Sequence, residues 1–289
     1  MLIPSATSTS LLQPACPMPL KILLAEDNLT NQKVALKQLQ SLGYMAEPVM
    51  DGQQAVEAIV SSASKTAYNL ILMDCQMPKL DGYEATQAIR IWETQAQHQP
   101  VVIVAMTAND LEVDRQRAIA AGMDDFISKP VRREALATLL AHWHQHITCC
   151  QAPSKSTAGP DEVLSTSTDF FQKHLDLNHL HLLSDHNFGF ELELLQLFTK
   201  DSWANLALLQ QAIIAQDLRQ IEQVAHYLKG ASANVGAKAM QAAADRLEMQ
   251  AQLRQLQHLE VQCVQMHSSL RQIENYLDQH RLHLSSAMA

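Results

Sequence analysis

Carboxylates close two of the apolar runs in this sequence: Glu26-Asp27 follows Ile22–Ala25, and Asp74 follows Leu70–Met73. In an open parallel sheet the carboxyl ends of adjacent strands gather at one edge, where ligands bind, so these acids are brought together there. Converging carboxylates repel one another and hold their protons unless a cation sits among them. A hard ion such as Mg2+, held by one or two carboxylates together with waters and a phosphate, resolves that conflict. Thr107 closes the run Val101–Met106, and Lys129-Pro130 follows Phe126-Ile127, so a hydroxyl and an ammonium reach the same edge. The negative charges of Glu26, Asp27 and Asp74 balance a dication plus Lys129, leaving a pocket suited to a phosphoryl group.

A second candidate lies far along the chain. Ile221, Val224, Ala225, Leu228 and Val235 follow helical spacing and define a core stripe. At 100° per residue His226 falls ~140° from Ile221, on the solvent side, with Lys229 one turn later on the same flank. Gly230 and Ala233 leave almost no side chain beside it. Such an exposed imidazole is open to a docking pocket, and its neighbouring cation can stabilise an added phosphoryl. Glycine inside a helix costs ~1 kcal/mol against alanine, which points to a need for clearance at Gly230.

The elements that must carry these residues divide the chain in two. From Lys21 short apolar runs alternate with helix-period segments: Ile22–Ala25, Met45–Val49, Leu70–Met73, Val101–Met106 and Phe126-Ile127, separated by Asn31–Leu42, Gln53–Val60, Tyr83–Trp92 and Glu112–Ala121 and closed by Arg132–His146. This predicts an α/β domain of five βα units, a doubly wound parallel sheet with strands buried on both faces. Gln151–Asp169 is rich in Pro, Ser, Thr and Gly and reads as a tether. Beyond it Phe188–Ala215, Leu218–Val235, Ala237–Gln252 and Leu256–Leu282 all carry helical periodicity, which predicts an antiparallel four-helix bundle. The expected domains are a disordered segment 1–19, an α/β domain 20–147, a flexible linker 148–169, a bundle 170–284 and a disordered tail 285–289. A tether of roughly 20 residues has an r.m.s. span of ~25 Å, so the two candidate sites can meet within one molecule.

Composition excludes several functions. The net charge is −9. It divides almost evenly, with eleven basic against fifteen acidic residues through Cys150 and ten against fifteen beyond. Without a basic block there is no footprint for nucleic acid or for an anionic membrane surface. No apolar run approaches a membrane span, and five cysteines without framework spacing suit a reducing cytoplasm. The i, i+4 pair His142/His146 could hold a metal, but histidines near a helix C-terminus also suit its dipole.

AEDN at 25–28, LILMDCQMPKLDG at 70–82, AMTAN at 105–109 and FISKP at 126–130 resemble the receiver domain of two-component response regulators. The resemblance covers about Leu20 to His146. It implies a flavodoxin-like fold and phosphorylation at Asp74. It also implies Mg2+ held by Asp27, Asp74 and the backbone carbonyl of Gln76, with Glu26 assisting. Thr107 and Lys129 would contact the phosphoryl oxygens, and Phe126 matches the aromatic that swings inward when Thr107 moves. Gln76 and Asn109 occupy positions that tune the lifetime of the acyl phosphate in that family. AHYLKGASANVGA at 225–237 looks like the histidine phosphotransfer (HPt) signature, with a match from roughly Thr168 to Leu282. By that resemblance His226 is the phosphoacceptor, Lys229 stabilises the phosphoryl and Gly230 opens room for the partner.

Together these resemblances imply a cytoplasmic phosphorelay intermediate, similar to the C-terminal part of hybrid histidine kinases. A histidine kinase or hybrid kinase would stand upstream and a receiver domain downstream, with no direct contact to nucleic acid or membrane. The sequence carries no glycine-rich ATP lid or P-loop, so the chain is a phosphoryl carrier rather than an autonomous enzyme on a small molecule. The alternative is a phosphorylation-dependent binding switch in which the bundle only docks partners.

Overall fold

The computed structural model describes residues 20–62, 68–107, 112–148, 175–255, 257 and 259–287. The segment 1–19, the tether from 149 onward and Asn109 lie outside the described residues. Strands β1 (Lys21–Ala25), β2 (Met45–Val49), β3 (Leu70–Asp74), β4 (Val102–Thr107) and β5 (Asp125–Ser128) form one parallel sheet in the order β2-β1-β3-β4-β5. Between and after them run α1 (Leu29–Ser41), α2 (Gly52–Ser62), α3 (Gly82–Ala96), α4 (Glu112–Ala121) and α5 (Arg133–Thr148).

Strand alternation sorts the core into two layers. Ile22, Leu24, Leu70, Leu72, Val104 and Met106 face Ala35 and Leu39 of α1 and Leu136 and Leu140 of α5. Their alternates Leu23, Ala25, Ile71, Met73, Ile103 and Ala105 face Ala55, Ala85, Ile89 and Ala118 of α2, α3 and α4. The three central strands are buried on both faces, as a sheet covered by helices requires. The outer two depart from that expectation. Met45 of β2 is 86% exposed, Phe126 of β5 is 40% exposed, and Pro48 sits in β2, where an edge position tolerates its missing N–H.

The second half contains a short helix α6 (Leu177–Leu183) followed by α7 (Phe188–Ala215), α8 (Leu218–Val235), α9 (Lys238–Gln252) and α10 (Leu259–Ala287). The short α6 was not among the four expected helices. It is capped by Asp176, whose side chain accepts from His179 N, and it seats Leu180 in the bundle core. The last helix extends to Ala287, past the boundary expected at 284, since Ser285-Ser286-Ala287 contains no helix breaker. Asn187 and Asp217 cap α7 and α8 through their side chains. Phe198, Leu228, Leu247 and Leu270 form the centre of the bundle core, and Val34 of α1 is buried in the same cluster. The bundle is therefore packed against the sheet domain through α1.

Candidate functional site

Register explains why the acids meet. Ala25 pairs with Met73, so Glu26-Asp27 and Asp74 leave β1 and β3 at one level. Asp74 pairs with Met106, and Thr107 pairs with Ser128, which sets Lys129 at the same edge. Gly82 allows the start of α3 to close on this edge. A Cβ built there would lie 2.1 Å from the Asp74 carbonyl oxygen, an approach that glycine alone permits.

Oxygens of Glu26, Asp27 and Asp74 lie within 4.8 Å of one another. Lys129 Nζ reaches Glu26 Oε2 at 2.6 Å and Asp74 Oδ2 at 2.7 Å, while the Gln76 amide donates to Asp74 Oδ1 at 3.2 Å. Burial, with repulsion from Asp74, pushes Glu26 up to about 7 against the pull of Lys129. Burial and the charges of Asp74 and Glu26 push Asp27 up to about 8. Burial would depress Lys129, but Asp74 and Glu26 outweigh it and hold the ammonium above its usual range. A cluster that holds protons near neutrality, with oxygen donors only, has the chemistry of a hard-cation site.

His226 and Lys229 sit on α8 and face α9. The His226 ring bonds through Nδ1 to Glu248 Oε1 at 2.7 Å. An ionised carboxylate only accepts, so Nδ1 carries the hydrogen, and in the neutral ring the lone pair is then on Nε2. Lys229 Nζ bonds Asp245 Oδ1 at 2.6 Å and Glu248 Oε2 at 3.0 Å. Burial would raise Glu248, but the bonds from His226 and Lys229 prevail and hold its carboxyl below the usual range. Glu248 was not read from the sequence. The available signal was the i, i+3 spacing of Asp245 and Glu248 on the helix after His226, but spacing alone does not show that α9 lies against α8.

The two clusters line one cavity of roughly 110 Å³, with Glu26, Asp27, Asp74 and Lys129 on one wall and His226, Lys229 and Gly230 on the other. Gln76, Thr107 and Phe126 are not among its lining residues; Thr107 is buried, and Arg115 lies over the Phe126 ring at 5.5 Å. His226 departs from the solvent-side expectation, with its side chain only 20% exposed. Part of that cover comes from its own bundle, through Glu248 of α9. The helical stripe carries no information about the sheet domain, whose α1 covers that flank.

The contact between the halves is both apolar and polar. Val34 enters the bundle core, Lys33 pairs with Glu193 of α7, and Arg133 pairs with Asp185. Asn28 caps α1 through Oδ1, accepting from Thr30 N and Asn31 N, and its Nδ2 donates to the Tyr227 carbonyl at 3.1 Å. Asn31 Nδ2 donates to Glu26 Oε1 at 3.0 Å, while its Oδ1 accepts from Asn234 Nδ2 at 2.7 Å. A Cβ on Gly230 would come to 3.2 Å from Asn31 Nδ2.

Comparison with known proteins follows the same division. Residues 22–141 match the response regulator receiver domain, and residues 193–282 match the Hpt domain. Hybrid signal transduction histidine kinase B of Dictyostelium discoideum is 46% identical over 120 residues, 39% of this chain and 6% of that protein. Sensor protein GacS of Pseudomonas syringae is 26% identical over 257 residues, 86% of this chain and 26% of that protein. The chain thus spans only a small part of these relatives' length. Among solved structures, the receiver domain of a Pseudomonas aeruginosa sensor histidine kinase, with magnesium in its active-site cleft, is 45% identical and covers 44% of this chain and 98% of that one, with a TM-score of 0.38. A complex of the Saccharomyces cerevisiae phosphotransfer protein Ypd1 with the Ssk1 receiver domain is matched at 30% identity, covering 46% of this chain and 93% of that one, with a TM-score of 0.43. Among the described residues no helix is long and apolar enough to cross a membrane. The chain belongs with the two-component phosphorelay proteins, as a response-regulator receiver domain followed by a histidine phosphotransfer domain.

Proposed function

We propose that the chain is a phosphoryl carrier in which Asp74 and His226 exchange a phosphoryl group. The observation that supports this most directly is the shared cavity, which puts the acidic edge and the imidazole on opposite walls. In the forward step an Asp74 carboxylate oxygen attacks the phosphorus of a phosphohistidine. The O–P bond forms as the N–P bond breaks, and the imidazole nitrogen retains the electron pair. Loading of His226 from Asp74 is the reverse, with Nε2 as nucleophile and the carboxylate as leaving group.

Glu26, Asp27, Asp74 and the backbone carbonyl of Gln76 would hold Mg2+, which when bound would offset the charge on the transferring oxygens. Lys129 neutralises Asp74 and then bears on the phosphoryl oxygens, with Thr107 at the end of the neighbouring strand. Glu248 orients the His226 ring through Nδ1. Lys229 is held beside the imidazole by Asp245 and Glu248, so its ammonium is in place without reorganisation. The contribution of the protein is positioning and charge balance, as in phosphoryl transfer generally. Phosphoryl would enter from a histidine kinase or hybrid kinase, and a receiver domain of another molecule would take it from His226.

The test is the chemical stability of the label after incubation with Mg2+ and a phosphorylated kinase. Acyl phosphate is lost in alkali, whereas phosphohistidine survives alkali and is lost in acid. Alkali-stable label in the unaltered chain, absent from both Asp74→Asn and His226→Gln, supports the relay. Alkali-labile label alone, unaffected by His226→Gln, would leave a receiver switch with a passive bundle.

A further inference from the structure

We propose that the Asn31 carboxamide, with Asn234 as its partner, is the contact by which this receiver selects the bundle of its own chain. The inference rests on the relay reading, since selection matters only if Asp74 and His226 exchange phosphoryl. Both side chains are buried in the domain contact, Asn31 at 7% and Asn234 at 6% exposure. An amide offers a donor on one arm and an acceptor on the other. Asn31 Nδ2 donates to Glu26 Oε1 at 3.0 Å, which leaves the Asn31 oxygen presented to the bundle, where it accepts from Asn234 Nδ2 at 2.7 Å. Only a donor at position 234 completes that arrangement. An acid at 234 would meet an acceptor, and an acid at 31 would add charge beside Glu26.

The remaining contacts discriminate less. Arg133–Asp185 is about half exposed on both sides and Glu193 is mostly exposed toward Lys33, and such rim pairs contribute little. Val34 is apolar burial, which any bundle with an apolar patch supplies. A buried polar pair is costly when half satisfied, and that is how an interface rejects the wrong partner. Gly230 belongs to the same device, because its missing side chain makes room for the Asn31 amide.

The occupant is the bundle of the same chain. The connection numbered 149–174 can reach at most about 90 Å, more than enough to seat the bundle on α1. An intramolecular partner acts at an effective concentration near millimolar. While it is seated, His226 is closed to any second receiver. A rival receiver must therefore present an acceptor to Asn234 and compete for the seat.

Zero-length carbodiimide coupling of the full chain tests this, because Lys33 and Glu193 are paired across the contact. A mixture of 14N- and 15N-labelled chains is coupled and its linked peptides are read by mass spectrometry. The Lys238–Asp176 link within the bundle and the Lys79–Asp51 link within the receiver report that each domain is folded. The expected result is a Lys33–Glu193 link confined to single-isotope peptides. Asn234→Asp and Asn31→Asp should each weaken docking by about ten- to a hundredfold and lower that link while the two control links persist. An undiminished link in both variants, or links mainly of mixed isotope, would overturn the proposal. The label-stability test is independent, so a relay with mixed-isotope links sinks the selection and leaves the relay standing.

Discussion

Glu248 holds His226 through one carboxylate oxygen and Lys229 through the other, at 2.7 and 3.0 Å. One side chain of α9 thus fixes both the ring nitrogen that carries hydrogen and the cation beside the ring. Glu248→Ala frees the ring to rotate and should slow transfer to His226 by about 10²-fold. Glu248→Gln keeps an acceptor for Nδ1–H and should recover most of that loss. Single-turnover rates report the effect, and 15N spectra of the imidazole report whether the Nδ1–H form persists.

The acidic edge should make stability depend on pH and on Mg2+. Glu26 rises from 4.5 to about 7 and Asp27 from 3.8 to about 8, so the folded state holds protons that the unfolded chain has released. Their stabilising contribution is full below about pH 4 and is lost as pH rises through 7 to 8. In chelator the thermal midpoint of the receiver should fall across that window as far as these two groups set it. Mg2+ should restore it most at the alkaline end, because ion binding displaces the protons. A midpoint that rises through pH 7 to 8 in chelator would contradict the reading.

Val34 is the apolar link between the halves. Val34→Asp places a charge where the bundle core closes over α1 and should release the bundle without unfolding it. Transfer between Asp74 and His226 should then slow, because the bundle reaches the acidic edge only by way of the tether. Small-angle scattering should show a larger radius of gyration.

Gly230→Ala separates folding from docking. Alanine favours the helix by ~1 kcal/mol, but its Cβ would crowd the Asn31 amide at 3.2 Å. The expected outcome is a bundle that melts higher and a relay that runs slower. Calorimetry and transfer rates on the same sample check both halves of this prediction.

The sheet and the acidic edge were legible because they follow from local pattern. The apolar runs Ile22–Ala25 and Leu70–Met73 end in acids, and parallel pairing brings their ends level whatever the details of packing. The edge strands were misjudged because periodicity states what a strand can bury and not where it stands in the sheet, so Met45 and Phe126 read as core and are exposed. Glu248, Asn31 and Asn234 were not legible. Each owes its role to an element distant in sequence, and an asparagine at a helix start reads equally well as a cap, which is indeed the role of Asn28.

Seating the bundle on α1 leaves Phe126 and Ile119 of the receiver open to solvent, at 40% and 60% exposure. The receiver therefore has two ports. One is the acidic edge, where phosphoryl would be written or erased under the relay reading and which the bundle covers; the other, at Phe126 and Ile119, the bundle leaves open. Under the relay reading, a third molecule that binds at the open port would meet the receiver without displacing the carrier, so sensing would not interrupt the traffic.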